Sequence, residues 1–189
     1  MAVRAVQQIP RPMLIGLTPS GHDTIAIDPR YHLFVWSTPL DRFPRDPGEV
    51  QIATYPLAPD APSLAGRTLG LDPLLWLIGL HAFDGARAPW LRAGDKYRLR
   101  RWPDFDVLPA TPEEERVVRT NVKSLMRTDK LATRADVDPR VAQSVINALS
   151  LMGALRRVEG AQGAPALPPP SGAYDLPDRP AGRHVKRGG

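Results

Sequence analysis

The chain has 189 residues, 42% of them hydrophobic, enough to bury a core as one domain or two small ones. It has no cysteine, which excludes a disulfide framework, a thiolate metal site and a cysteine nucleophile. The net charge of +5 matters less than its placement. Residues 1–85 carry six basic and eight acidic side chains, whereas residues 86–104 carry six basic and two acidic. Residues 111–159 are nearly balanced, with nine basic and seven acidic. The longest apolar run, Leu74 to Leu80, is one short helix's worth, so no membrane insertion is expected. Met1 to Pro12 has no continuous apolar segment, so no secretory signal is expected and a cytoplasmic location is. Arg, Ala and Pro are abundant and Lys is scarce, a composition typical of GC-rich bacterial genomes.

In chain order, Met13 to Leu17 and Thr24 to Ile27 flank the turn formers Thr18-Pro19-Ser20-Gly21-His22-Asp23 and predict a pair of strands. Tyr31 to Trp36 and Val50 to Tyr55 are the third and fourth strand candidates, separated by prolines that keep the connections out of helix. Asp72-Pro73 opens a helix carrying Leu74, Leu75, Trp76, Leu77, Ile78, Leu80 and Phe83. A helix apolar on most sides belongs in the centre of a core. Asp84-Gly85 ends it. Tyr97 to Trp102 alternates like a strand, with Tyr97, Leu99 and Arg101 on one face.

Thr111-Pro112-Glu113-Glu114 has the pattern of a capping box with proline at the first helical position. Val118, Val122, Leu125 and Met126 then fall on one helical face. Leu131 to Asp136 fits a short second helix ending in a tight turn. Asp138-Pro139 opens a third, with Val141, Val145, Leu149 and Met152 at helical spacing. Gly153 closes it, and Leu155-Arg156-Arg157-Val158 reads as a strand. Leu74, Leu77, Ile78, Val145 and Leu149 are expected to be buried. From Gly160 onward Pro, Gly and Ala dominate without periodicity, as expected of a disordered tail.

The sequence contains no phosphate-binding loop, no dinucleotide fingerprint, no nucleophile elbow and no H-E-x-x-H pair. The histidines at 22, 32, 81 and 184 are scattered, and Ser20-Gly21-His22-Asp23 is too local to form a relay. No enzyme activity, metal or cofactor is expected. Glu113, Glu114 and Glu115 are explained by the helix dipole. Two surfaces carry recognition chemistry. If the third C-terminal helix reads DNA, the side opposite its apolar stripe presents Arg140, Gln143, Ser144 and Asn147, whose types suit base edges and phosphates. Arg156 and Arg157 lie on the following strand. The basic and aromatic segment Arg98, Arg100, Arg101 and Trp102 can meet a phosphate, a nucleic acid backbone or an acidic protein surface. Against DNA stand Asp129, Asp136 and Asp138, which precede the third helix and face the phosphates a reading helix would meet.

Residues 111–158, through Leu131-Ala132, Val137-Asp138-Pro139, Val145-Ile146-Asn147-Ala148-Leu149 and Met152-Gly153-Ala154-Leu155-Arg156-Arg157, resemble the winged helix-turn-helix superfamily. The segment Arg100-Arg101-Trp102-Pro103-Asp104-Phe105 is similar to small uncharacterised bacterial signalling-associated proteins. The expected fold is α+β. A small β-rich part with a central buried helix covers 1–110, a winged-helix-like unit 111–159, and a Pro/Gly-rich disordered tail 160–189. The expected function is a non-enzymatic bacterial regulatory or adaptor protein acting through protein–protein contacts. The alternatives are a sequence-specific DNA-binding regulator and, more weakly, a nucleotide-messenger binder at the Arg98–Trp102 strand. Because the tail offers few apolar contacts, a chain ending before Gly163 should keep its melting temperature. A drop of many degrees in a thermal melt would show that the tail docks on the body.

Overall fold

The structure, a computed structural model, describes residues 12–46, 48–58, 60–121 and 124–158. The expected tail and Val122 lie outside the described residues. The chain begins with an antiparallel sheet of β1 (Met13–Pro19), β2 (Ile25–Asp28), β3 (Leu33–Val35), β4 (Val50–Pro56) and β5 (Leu69–Gly70). Their order in space is β4-β1-β2-β3-β5. The four predicted strands are present. The fifth has two residues, too few for alternation to signal. Gly21 turns the β1–β2 hairpin at a φ of 74°, a conformation glycine takes without cost.

Alternation decides which face is covered. Ile15 pairs with Ile27 and Ile27 with Phe34, so these residues share one face. They pack with Ile25, Trp36, Leu71 and Leu74 into an apolar cluster. On the opposite face Asp28 is fully buried. Arg30 closes on it with Nε at 3.0 Å and a terminal nitrogen at 2.8 Å, and donates onward to the carbonyls of Ala61 and Pro62. The guanidinium holds the Asp28 carboxyl below its usual range. This bidentate pair pins the proline-rich connection that propensity alone leaves loose.

Helix α1 (Asp72–His81) follows. Leu74 belongs to the sheet cluster, whereas Trp76 and Leu80 belong to a second cluster with Tyr97, Val117, Val118, Leu131, Val145 and Leu149. A helix serving two cores needs apolar residues on most sides, which is what its sequence has. Ile78 departs from expectation. It is only half-buried, packed against the sheet cluster.

The second cluster is closed by α2 (Pro112–Asn121), α3 (Thr128–Ala135) and α4 (Pro139–Leu151), with the antiparallel pair β6 (Lys96–Leu99) and β7 (Leu155–Val158). The capping box forms as read: the Thr111 N–H donates to a Glu114 carboxylate oxygen at 2.8 Å, and the Glu114 N–H donates to Thr111 Oγ1 at 3.3 Å. Helix α2 ends at Asn121, short of the expected Met126. Leu125 is exposed, and Met126 leaves the helix to exchange backbone hydrogen bonds with Tyr97 at 2.7 and 3.0 Å. Helix α3 starts at Thr128, before the expected Leu131, and ends at Ala135, capped by Asp136 in the left-handed region (φ 52°, ψ 58°). That residue, like Asp138, has a structural task. Asp138 caps α4 by accepting the Arg140 N–H at 2.7 Å. The predicted strand 97–102 stops at Leu99, because the N–H groups of Arg100 and Arg101 both turn to the Ala154 carbonyl.

Helices α1 and α4 touch backbone to backbone. A β-carbon at Gly79 would lie 2.2 Å from the Ala148 α-carbon. Gly79→Ala should therefore destabilise the fold by about 1–3 kcal/mol, as overpacking does. Leu149→Ala should cost about 2–5 kcal/mol through the cavity it leaves. Urea denaturation of the two variants checks both, and a neutral Gly79→Ala would show that the helices do not lie so close.

Candidate functional site

The outer face of α4 is covered. Of the four side chains expected there, Arg140 is exposed, Gln143 is half-buried, and Ser144 and Asn147 are buried, Asn147 completely. The Asn147 amide oxygen accepts from the Ala88 N–H at 3.1 Å and from Gln143 Nε2 at 3.0 Å, and its nitrogen donates to the Ala86 carbonyl at 2.8 Å. One turn further, Ser150 Oγ accepts the Trp90 indole N–H at 2.7 Å. Gly85 packs on Arg140 at the other end. The segment 85–90 thus runs along α4 from Arg140 to Ser150. Ten helical steps span about 15 Å, and five extended residues reach about 17 Å. The amide groups of Asn147 and Gln143 are spent inside the chain, on the backbone of Ala86 and Ala88 and on each other. From Ser144 onward the expected surface is an interior, and Arg140 stays exposed at its edge. A signal for this was present: Ala142 and Ala148 widen the 141/145/149/152 stripe on either side and Ile146 lies off it, and Ala88, Trp90 and Leu91 are apolar residues in a basic stretch.

The arginines divide differently from the sequence reading. In the β6–β7 register Arg98 stands opposite Arg156, and Lys96 opposite Val158. All four are exposed and share the outer face. Arg100 follows, also exposed. Tyr97, Leu99, Leu155 and Arg157 point to the other face. Burial, followed by the nearby Asp95 charge, pushes the Tyr97 hydroxyl up to about 12. Arg157 sits 3.6 Å from the buried Asp95 carboxylate. Arg98 and Arg156, expected on two separate surfaces, stand opposite each other on one strand pair. Among the described residues, no carboxylate lies within ion-pair distance of Lys96, Arg98, Arg100 or Arg156. Like charges directly opposite on a sheet oppose pairing, so among the described residues this ribbon has a field that no ion pair answers.

Arg101 is elsewhere. Its guanidinium donates to Asp72 at 2.7 Å and to the Met152 carbonyl at 3.2 Å, joining the start of α1 to the end of α4. Trp102 is half-exposed, edge-on to Phe105, with the Arg119 guanidinium 5.9 Å from its ring. Between α1 and α4 a concavity of about 320 Å³ is lined by Arg45, His81, Glu114 and Arg140 among others. Burial, and then the Arg45 charge, lowers the His81 pKa, and burial raises that of Glu114. Among the described residues no group of three His, Asp or Glu side chains could hold a metal ion, and no helix is long and apolar enough to cross a membrane. In the turn 19–23, Asp23 accepts from Ser37, and the His22 ring lies against Trp36, so these residues do not converge on one another. No protein-family model, curated protein or solved structure matches the chain.

Asp72 also accepts from His32 at 3.3 Å. The His32 hydrogen bond, then the Arg101 contact, hold its carboxyl at about 2 against the partial burial that raises it. The stability this ionisation contributes is present above the unfolded value near 3.8 and is lost as pH falls through about 2. Asp72→Asn should therefore lower the urea midpoint at pH 7, and the gap to the parent should close between pH 4 and pH 2. A gap that stays constant across that range would remove the ionised carboxylate from the junction.

Proposed function

We propose that the protein is a non-enzymatic bacterial regulatory or adaptor protein, working in the cytoplasm through protein–protein contacts of a winged-helix-like C-terminal unit. The succession of α2, the Met126 bridge, α3, α4 and β7 supports that reading of the unit. One observation carries the function: α4, the helix that would enter a DNA groove, has its outer face occupied by α1 and residues 85–90, with Asn147 fully buried. A helix so covered leaves Arg140 as its one exposed candidate contact and withholds Asn147 and Ser144 from base edges, where sequence is read. The basic ribbon of Lys96, Arg98, Arg100 and Arg156 remains for an acidic partner surface, with the exposed Val158 beside it as apolar contact.

DNA binding is the second reading, favoured by the same ribbon, since wing arginines suit phosphates. A nucleotide messenger at Arg98–Trp102 is weaker, because Arg101 is engaged by Asp72. Selection from random duplexes at near-physiological salt separates the first two. An adaptor should bind duplexes weakly, without a motif, and lose them steeply as salt rises. Proteins captured from the native cell after nuclease treatment should be lost with Arg98→Glu or Arg156→Glu and kept with Arg140→Glu. Recovery of a distinct DNA motif that Arg140→Ala abolishes would overturn the adaptor reading.

A further inference from the structure

Strand β4 is the outer edge of the five-stranded sheet, and among the described residues only β1 pairs with it. All seven of its residues, Val50 to Pro56, are exposed. None is charged, and the register with β1 runs unbroken from Val50 to Pro56. The devices that keep sheet edges apart, lysines and bulges, are missing from it.

The outward hydrogen-bonding groups can be assigned by parity. The Glu49 carbonyl accepts from Ser20, and the Leu57 N–H donates to Pro12. Odd-numbered residues therefore face β1. Val50, Ile52 and Thr54 direct both N–H and C=O to the open side, where Pro56 offers only its carbonyl. We propose that this edge is a homodimer seam, in which β4 of a second copy pairs antiparallel about a two-fold axis through Ile52 and joins two sheets into one of ten strands.

The strand fits itself. With Ile52 opposite Ile52 of the other copy and Val50 opposite Thr54, the same three residues supply donors and acceptors to each other, giving six backbone hydrogen bonds. Pro56 falls beyond the bonded residues, so its missing N–H costs nothing. An uncharged strand opposes no like charges when it meets its copy. The surrounding residues 1–85, with six basic and eight acidic side chains, add little repulsion. Ile52 stands opposite Leu17 within its own sheet, and Leu17 packs against the sheet cluster. The seam therefore continues an apolar row from one core to the other. A C2 interface of this kind is isologous and closed, so it ends at two copies.

The test uses the full chain. Sedimentation across micromolar concentrations should give twice the 20.8 kDa chain mass. Ile52→Lys, which leaves the backbone intact, should return the mass to one chain. Thr54→Pro, which deletes an outward N–H and none of those given to β1, should do the same. Because the chain has no cysteine, Ile52→Cys introduces a single thiol. Directly paired residues lie about 5.5 Å apart at their α-carbons, within disulfide reach. Mild oxidation should give covalent dimers with Ile52→Cys and not with the exposed control Tyr31→Cys. A single-chain mass for the parent at all concentrations, or a dimer that persists in folded Ile52→Lys, overturns the proposal. If Thr54→Pro does not fold, Ile52→Lys and the cross-link decide.

Discussion

The absence of a side chain at Gly79 sets the arrangement of the C-terminal half. Any β-carbon there would overlap the Ala148 backbone, so the glycine lets α1 lie directly on α4. The consequences follow in order. Side chains from α1 reach both apolar clusters. The chain leaving α1 turns through Asp84 and Gly85, both at positive φ, and is laid along α4. There Asn147 and Ser150 take up its N–H, carbonyl and indole groups. Asparagine and serine inside a helix are poor helix formers. Inside this one they satisfy a strap that would otherwise bury unpaired backbone, a cost of about 1–3 kcal/mol for each group.

Charge is treated in two opposite ways. Buried carboxylates are matched, Asp28 with Arg30 and Asp95 with Arg157, and the half-buried Asp72 holds the exposed Arg101. On the outer face of β6–β7 and just beyond it, Lys96, Arg98, Arg100 and Arg156 have no such partner among the described residues. The magnitude of an exposed pair, about 0.2–1 kcal/mol, decides what that face can contribute. Even four such contacts supply modest affinity, but they raise encounter rates and reject basic partners. Tight binding there draws on apolar contact, for which Val158 on the same face is the available residue.

Periodicity exposed most of the elements and less of their meaning. The four main strands, the central helix, the Thr111–Glu114 capping box and the Asp138 cap were legible because each depends on neighbours within a few residues. The ends of helices were less so. Val118 to Met126 continues a helical apolar pattern on paper, yet Met126 is held by Tyr97, a partner 29 positions earlier, which local spacing cannot show. The surface of α4 failed for the same reason. Polar types opposite an apolar stripe look exposed when the stripe is the only thing counted. Here the second side is filled by α1 and by Ala88, Trp90 and Leu91. Asp136 likewise reads as a charge opposing DNA, although a left-handed helix end is a place where aspartate fits.

With α4 committed to its neighbours, the strands β4, β6 and β7 carry accessible surfaces of their own. Helix faces recognise partners through side chains arrayed on a cylinder, and α4 has few left to offer. The strands leave two other kinds of recognition open. One is a backbone edge whose groups at Val50, Ile52 and Thr54 read hydrogen-bond geometry with little regard to sequence. The other is a pleated face where Lys96, Arg98 and Arg156 read charge. The first favours an exact copy, since only an uncharged strand of matched length and register uses every group. The second favours a different molecule, since a copy would bring cation against cation. A single chain can therefore keep self-association and partner binding on surfaces whose physical requirements exclude each other.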